Sequence, residues 1–170
     1  AYFKESPMPG FSVRVAENIY LRNDWQDSIF QRILTSPLTQ SGQYIYSHND
    51  FIFLAKVVEA VTAKNIHEYS KEIFYRPLSM TTTGFTPRKY FPLNALVPTE
   101  DEKHFRQQMM RGDVHDEGAS LFGGVAGHAG LFSNAYDLAQ LYQMLLNGGT
   151  MNGQQFLQKA TIQQFTAYNS

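Results

Sequence analysis

The stretch from Ser47 to Ala63 constrains this chain most. Phe51, Leu54, Ala55, Val58 and Val61 recur at helical spacing, and Phe53, Val57 and Ala60 add a second apolar face. A helix that is apolar on two sides has to be covered on two sides, so the spacing predicts a deeply buried helix over about 51–63. Its start is marked as well. Ser47 and Asp50 stand at capping-box spacing, serine at the N-cap and an acid three residues on.

The same signals place the other elements. A first helix is predicted over 24–34, capped by Asp24, with Ile29, Phe30, Ile33 and Leu34 on its apolar face and Pro37 beyond its end. Another is predicted over 66–74, with Asn65 as cap, Glu68 three residues on, and Pro77 past its end. A short helix is expected over 100–110. The last strong helix runs over 135–146, with Leu138, Leu141, Tyr142 and Leu145 on one face, Asn134 and Asp137 as a capping pair, and Gly148-Gly149 as the stop. Asn152-Gly153 reads as a tight turn, and Thr161 as the cap of a short helix to Phe165. Residues 1–12 read as an irregular lead-in and 80–120 as mostly loop, so the expectation is a mainly α chain with few strands.

Composition excludes several classes. The 170 residues are read as one domain, 1–170, with 43% hydrophobic and 17% charged residues, the balance of a globular protein. The formal charge of −1 gives no broad footprint for nucleic acid. No apolar run reaches 18 residues, so no membrane-spanning helix is expected. The first residues, Ala1-Tyr2-Phe3-Lys4-Glu5, do not read as a secretion signal. There are no cysteines, which removes disulfides, thiolate nucleophiles and cysteine zinc sites together.

Four segments, taken in order, carry a resemblance. They are Tyr44 to Thr62; Glu72-Ile73-Phe74-Tyr75-Arg76-Pro77-Leu78-Ser79-Met80-Thr81-Thr82-Thr83; Pro98-Thr99-Glu100 with Arg106 and Val114-His115-Asp116; and Gly123 to Ser133. Together they resemble the serine β-lactamase and penicillin-binding hydrolases: class C β-lactamases, D-alanyl-D-alanine peptidases and related esterases. The likeness is to the branch fused to family 3 glycoside hydrolases in Bacteroidetes-like bacteria. Ser79 stands where that family usually has glycine, and His48 where it often has Asn or Asp. The resemblance implies the helical lobe of an α/β, β-lactamase-like fold and an extracytoplasmic, periplasmic or secreted location.

It also implies acyl-enzyme chemistry on a serine one helical turn before a lysine. No serine here has a lysine three residues on, and Thr86-Pro87-Arg88-Lys89 is a poor substitute because of Pro87. The third family motif is not evident either, since His128-Ala129-Gly130 reads as loop. The chain is therefore expected to be part of a larger protein and inactive alone. Tyr46 takes the catalytic, proton-transferring role by resemblance. The positive end of a helix favours a phenolate by at most ~1–2 kcal/mol, so the missing lysine has to supply the rest. His48 is assigned to substrate binding, and His115, Asp116 and His128 to a possible site loop. No metal and no cofactor are expected. The implied partners are the remainder of the parent protein and a small-molecule, peptidoglycan or sugar-ester substrate.

Two other functions stay open: a non-catalytic accessory module of a multidomain glycosidase, and a metal-dependent hydrolase using His115, Asp116 and His128, a donor set that suits zinc. The glycines at 123, 124, 127 and 130 are assigned to tight backbone turns rather than to phosphate binding, because no Gly-Lys-Ser/Thr follows. Glu100 and Arg106 are paired as a structural ion pair, Ser133 is a helix-start residue, and His67 and His104 are placed at the surface.

Overall fold

The computed structural model describes residues 1–37, 42 and 45–168. The chain forms two compact units, one of residues 1–66 with 85–131, the other of 67–84 with 132–170. Tyr44, the first residue of the family-like stretch, lies outside the described residues.

The first unit opens on a sheet that the sequence reading missed. Strands β1 (Phe3–Lys4), β2 (Val13–Ala16) and β3 (Ile19–Leu21) pair antiparallel in the order β1-β3-β2, with an irregularity between Arg14 and Ala16. Residues 1–12 are therefore not simply a lead-in. Val15, Ala16 and Leu21 are buried, and Asn18 turns the β2–β3 hairpin at φ 57°.

Helix α1 (Trp25–Leu34) follows as expected, although Asp24 makes no capping bond and engages Arg22 instead. Helix α2 (His48–Thr62) starts at Ser47, whose hydroxyl accepts from the Asn49 N–H at 3.1 Å. It is not deeply buried. Ile52 and Ala55 are covered, but Leu54 is 57% exposed, Val57 56% and Val61 81%. Phe53 packs against Phe30 at 5.5 Å, while Leu54, Val57 and Val61, drawn from both expected faces, form an outward apolar stripe.

The chain then runs through α3 (Ile66–Ser70), continued by a wider π turn over Lys71–Tyr75, and returns through β4 (Gly84–Phe85). The helix expected over 100–110 is a hairpin, β5 (Pro98–Glu102) paired with β6 (Gln108–Arg111). The buried Glu102 carboxylate explains why. It accepts from the backbone N–H groups of His104, Phe105, Arg106 and Gln107, closing a tight turn in place of a helix. Burial pushes this carboxyl up, but those four donors outweigh it and hold the pKa at about 2. Arg106, also buried, has Nε 3.5 Å from Glu102, while Glu100 stands farther off at 3.9 Å. The expected Arg106–Glu100 ion pair is thus present, and Glu102 is the nearer, buried partner of the same guanidinium.

Helix α4 (Glu117–Leu121) was not foreseen, and Asp116 caps it. The Gly-rich loop after it packs onto α2. A Cβ at Gly127 would lie 2.0 Å from the Phe51 carbonyl oxygen, and one at Gly130 would lie 2.3 Å from that of Gly124, so only glycine permits this approach.

Strand β7 (Leu131–Phe132) leads into the second unit. Helix α5 (Ala135–Leu146) has its expected bounds, and Asn134 accepts from the Asp137 N–H at 2.8 Å. Tyr142 faces solvent, however, and the inward side carries Leu141, Met144 and Leu145 against Tyr75, Leu78 and Met80. Each such buried apolar side chain contributes roughly 1.5–3 kcal/mol over exposure. Asp137 is buried and accepts from the Thr82 N–H and hydroxyl at 2.8 Å and the Thr83 hydroxyl at 2.9 Å. Ser133, just before the cap, bonds Thr83 at 2.7 Å. Ser79 adopts φ 58°, the left-handed conformation that explains glycine as the usual residue there. His67 is largely buried at 12% side-chain exposure, whereas His104 is at the surface as expected. A hairpin of β8 (Thr150–Met151) and β9 (Gln154–Gln155) turns at Asn152-Gly153, both with positive φ. Helix α6 (Lys159–Thr166) begins after Gln158 rather than at Thr161.

Candidate functional site

The residues of interest sit in the first unit, around the start of α2. Tyr46 precedes the Ser47 cap, so its side chain stands at the positive end of a fifteen-residue helix. The residue is 61% exposed, its ring touching that of His48 edge-on at 5.9 Å and 90° and that of Phe51 at 5.9 Å. A phenol held there is open to solvent.

His48 is the first residue of α2. Its ring stacks on that of His128 at 4.9 Å and 27°, and its Nδ1 lies 3.7 Å from Asp116 Oδ2. That distance is an electrostatic contact, too long for a hydrogen bond. Asp116 Oδ1 accepts from the Ala119 N–H at 2.7 Å, which is the α4 cap, and faces His128 Nε2 at 2.9 Å. Burial alone pushes the Asp116 carboxyl up. The Ala119 amide and the two imidazoles more than offset this, so its pKa lies below the ordinary aspartate value.

Of the expected loop residues, Asp116 and His128 meet and His115 does not join them. The His115 side chain is exposed and its carbonyl accepts from Arg106, which also binds the Val114 carbonyl at 2.7 Å. The expected metal-type grouping of His115, Asp116 and His128 is therefore wrong in one member. The group that converges is His48, Asp116 and His128, with one ligand-type atom of each within 4.8 Å of the others. Sequence reasoning named all three residues but could not join them, because residues 48, 116 and 128 meet only through the Gly127 approach to α2. It missed Glu102 altogether, the buried acid that pairs with Arg106, whose guanidinium holds the Val114 and His115 carbonyls.

A family model described as Beta-lactamase matches residues 10–170. A protein named "Putative D-alanyl-D-alanine carboxypeptidase" from Escherichia coli K12 is 40% identical over 166 residues, covering 89% of this chain and 38% of its own length. A protein of the same name from Salmonella enteritidis is 36% identical over 158 residues, covering 85% of this chain and 37% of its own. The chain thus spans less than two-fifths of these relatives. Among solved structures, the D-amino acid amidase of Ochrobactrum anthropi SV3 superposes with a TM-score of 0.56 at 16% identity, over 95% of this chain and 44% of that one. The fold is that of the β-lactamase-like proteins, of which this α-rich part also carries several short sheets.

Proposed function

The chain belongs to the Beta-lactamase family, and from that premise we propose that it is the tyrosine-bearing part of a serine hydrolase acting by acyl transfer on an ester or amide. The observation that carries this reading is the exposed Tyr46 ring at the positive mouth of α2. The nucleophilic serine and its lysine come from elsewhere in a longer polypeptide, because no Ser-x-x-Lys occurs in these 170 residues. The outward apolar stripe of α2, with Leu54, Val57 and Val61, supports this, since a surface of that kind calls for a cover.

The serine Oγ attacks the carbonyl carbon while its proton passes to the Tyr46 phenolate oxygen. Tyr46 then gives that proton to the leaving nitrogen or oxygen, and water later releases the acyl group from serine. The names of the relatives favour a peptide ending in D-alanyl-D-alanine as substrate. An extracytoplasmic location goes with such a substrate. His48, beside Tyr46, lines the approach.

The test is labelling with a β-lactam or a fluorophosphonate. The parent polypeptide is expected to be acylated on one serine and the 170-residue chain to remain unlabelled. Stoichiometric labelling of a serine in the isolated chain, or none in the parent, overturns the reading. The latter result favours the second reading, an accessory module supporting an attached glycosidase, to which the missing Ser-x-x-Lys also points.

A further inference from the structure

We infer that Asp116 and His128 are positioning residues, a carboxylate–imidazole pair that fixes the ring of His48 and, through it, the edge of Tyr46. The inference rests on the acyl-transfer reading of Tyr46 given above. Asp116 is itself anchored, because its Oδ1 closes the start of α4 on the Ala119 N–H at 2.7 Å. The same oxygen faces His128 Nε2 at 2.9 Å, and a carboxylate only accepts, so Nε2 carries the proton. The His128 side chain is 1% exposed, which makes its ring a fixed floor. His48 lies on that floor at 4.9 Å with its Nδ1 3.7 Å from the other oxygen of Asp116. Without these contacts an imidazole that is 56% exposed would sample several rotamers beside Tyr46. With them, one half-buried carboxylate is connected through two rings to the phenol.

The same three side chains suit a divalent cation by number and type, and one observation weighs against it. A metal on His128 Nε2 would move the ring proton to Nδ1, and ligating histidines need an acceptor there. Nδ1 of His128 is buried and meets none among the described residues. The hydrogen-bonded pair leaves a bare lone pair at Nδ1 in place of an unmet N–H.

A double-mutant cycle in the parent polypeptide reads the inference. His128→Ala is expected to lower kcat for acylation about tenfold to a hundredfold, the scale of a misplaced catalytic group, with KM little changed. In a His48→Ala background the same substitution is expected to change kcat less than about twofold, because nothing remains to be positioned. Equal losses in both backgrounds would show an independent structural role and overturn the inference. Should His128→Ala not fold, His128→Phe, which keeps a flat ring but loses the Asp116 hydrogen bond, carries the same cycle, and equal losses in both backgrounds again overturn the inference. A second arm uses the 170-residue chain and needs no activity. Nuclear Overhauser contacts between the His48 and His128 rings are expected in the wild type and lost in Asp116→Asn; their persistence in that variant overturns the inference. Saturable zinc binding abolished alike by His48→Ala, Asp116→Asn and His128→Ala overturns it in favour of a metal site. If the parent is never acylated, the functional reading fails, while the ring contacts still decide whether the pair holds His48.

Discussion

Replacing Arg106 by alanine tests the internal support of the site loop. Its guanidinium is inaccessible to solvent, donates to the Val114 and His115 carbonyls, and pairs with Glu102 at 3.5 Å. Those two carbonyls lie immediately before Asp116, so Arg106 holds the segment that delivers the carboxylate to His128. Breaking a buried ion pair costs ~3–5 kcal/mol. Glu102 keeps its four backbone donors after the substitution, which trims the loss toward ~3–4 kcal/mol. With a urea slope of about 2 kcal/mol per molar, the unfolding midpoint should fall by roughly 1.5–2 M. Trp25 is the sole tryptophan and lies in the same unit, so its fluorescence follows this transition. Arg106→Lys keeps the charge but not the fork and should fall in between. A midpoint shift under about 0.5 M for Arg106→Ala, roughly 1 kcal/mol, would refute the reasoning.

Other perturbations follow from single contacts. The Glu102 pKa of about 2 lies below the ordinary glutamate value. Its contribution to stability is therefore complete above the ordinary value and is lost as pH falls through the acid range toward 2, and Glu102→Gln should flatten that part of an acid-denaturation curve. Gly127→Ala drives a Cβ into the Phe51 carbonyl and should cost about 1–3 kcal/mol in urea unfolding. Ser79→Gly relieves a left-handed backbone and should raise stability by up to about 1 kcal/mol, seen as a higher Tm.

How much of this was legible in the sequence depended on whether the determining interaction was local. The starts of α2 and α5 were readable because Ser47 and Asn134 bond amides two and three residues ahead. The Asn152-Gly153 turn was readable for the same reason. The β1-β3-β2 sheet was not, since its strands are two to four residues long and are stabilised by pairing along the chain rather than by alternation. The hairpin over 98–111 was misread because its acids and lysine are ordinary helix residues, and only the capture of four amides by Glu102 turns the chain. The periodicity of α2 was right and its burial was wrong, because a second apolar stripe reports a partner without saying whether that partner is in the same 170 residues. At the site, Tyr46 and His48 were named from the family-like stretch Tyr44 to Thr62. The joining of His48 to Asp116 and His128 depended on separations of 68 and 12 residues closing through one glycine contact, which no local pattern records.

Single-turnover acylation of the parent polypeptide carrying Tyr46→Phe decides whether Tyr46 moves the proton in acyl transfer. The residue is 61% exposed, so stability should hold while the acylation rate falls by a factor of about 10² to 10⁴. A folded Tyr46→Phe protein acylated at the wild-type rate would rule that role out.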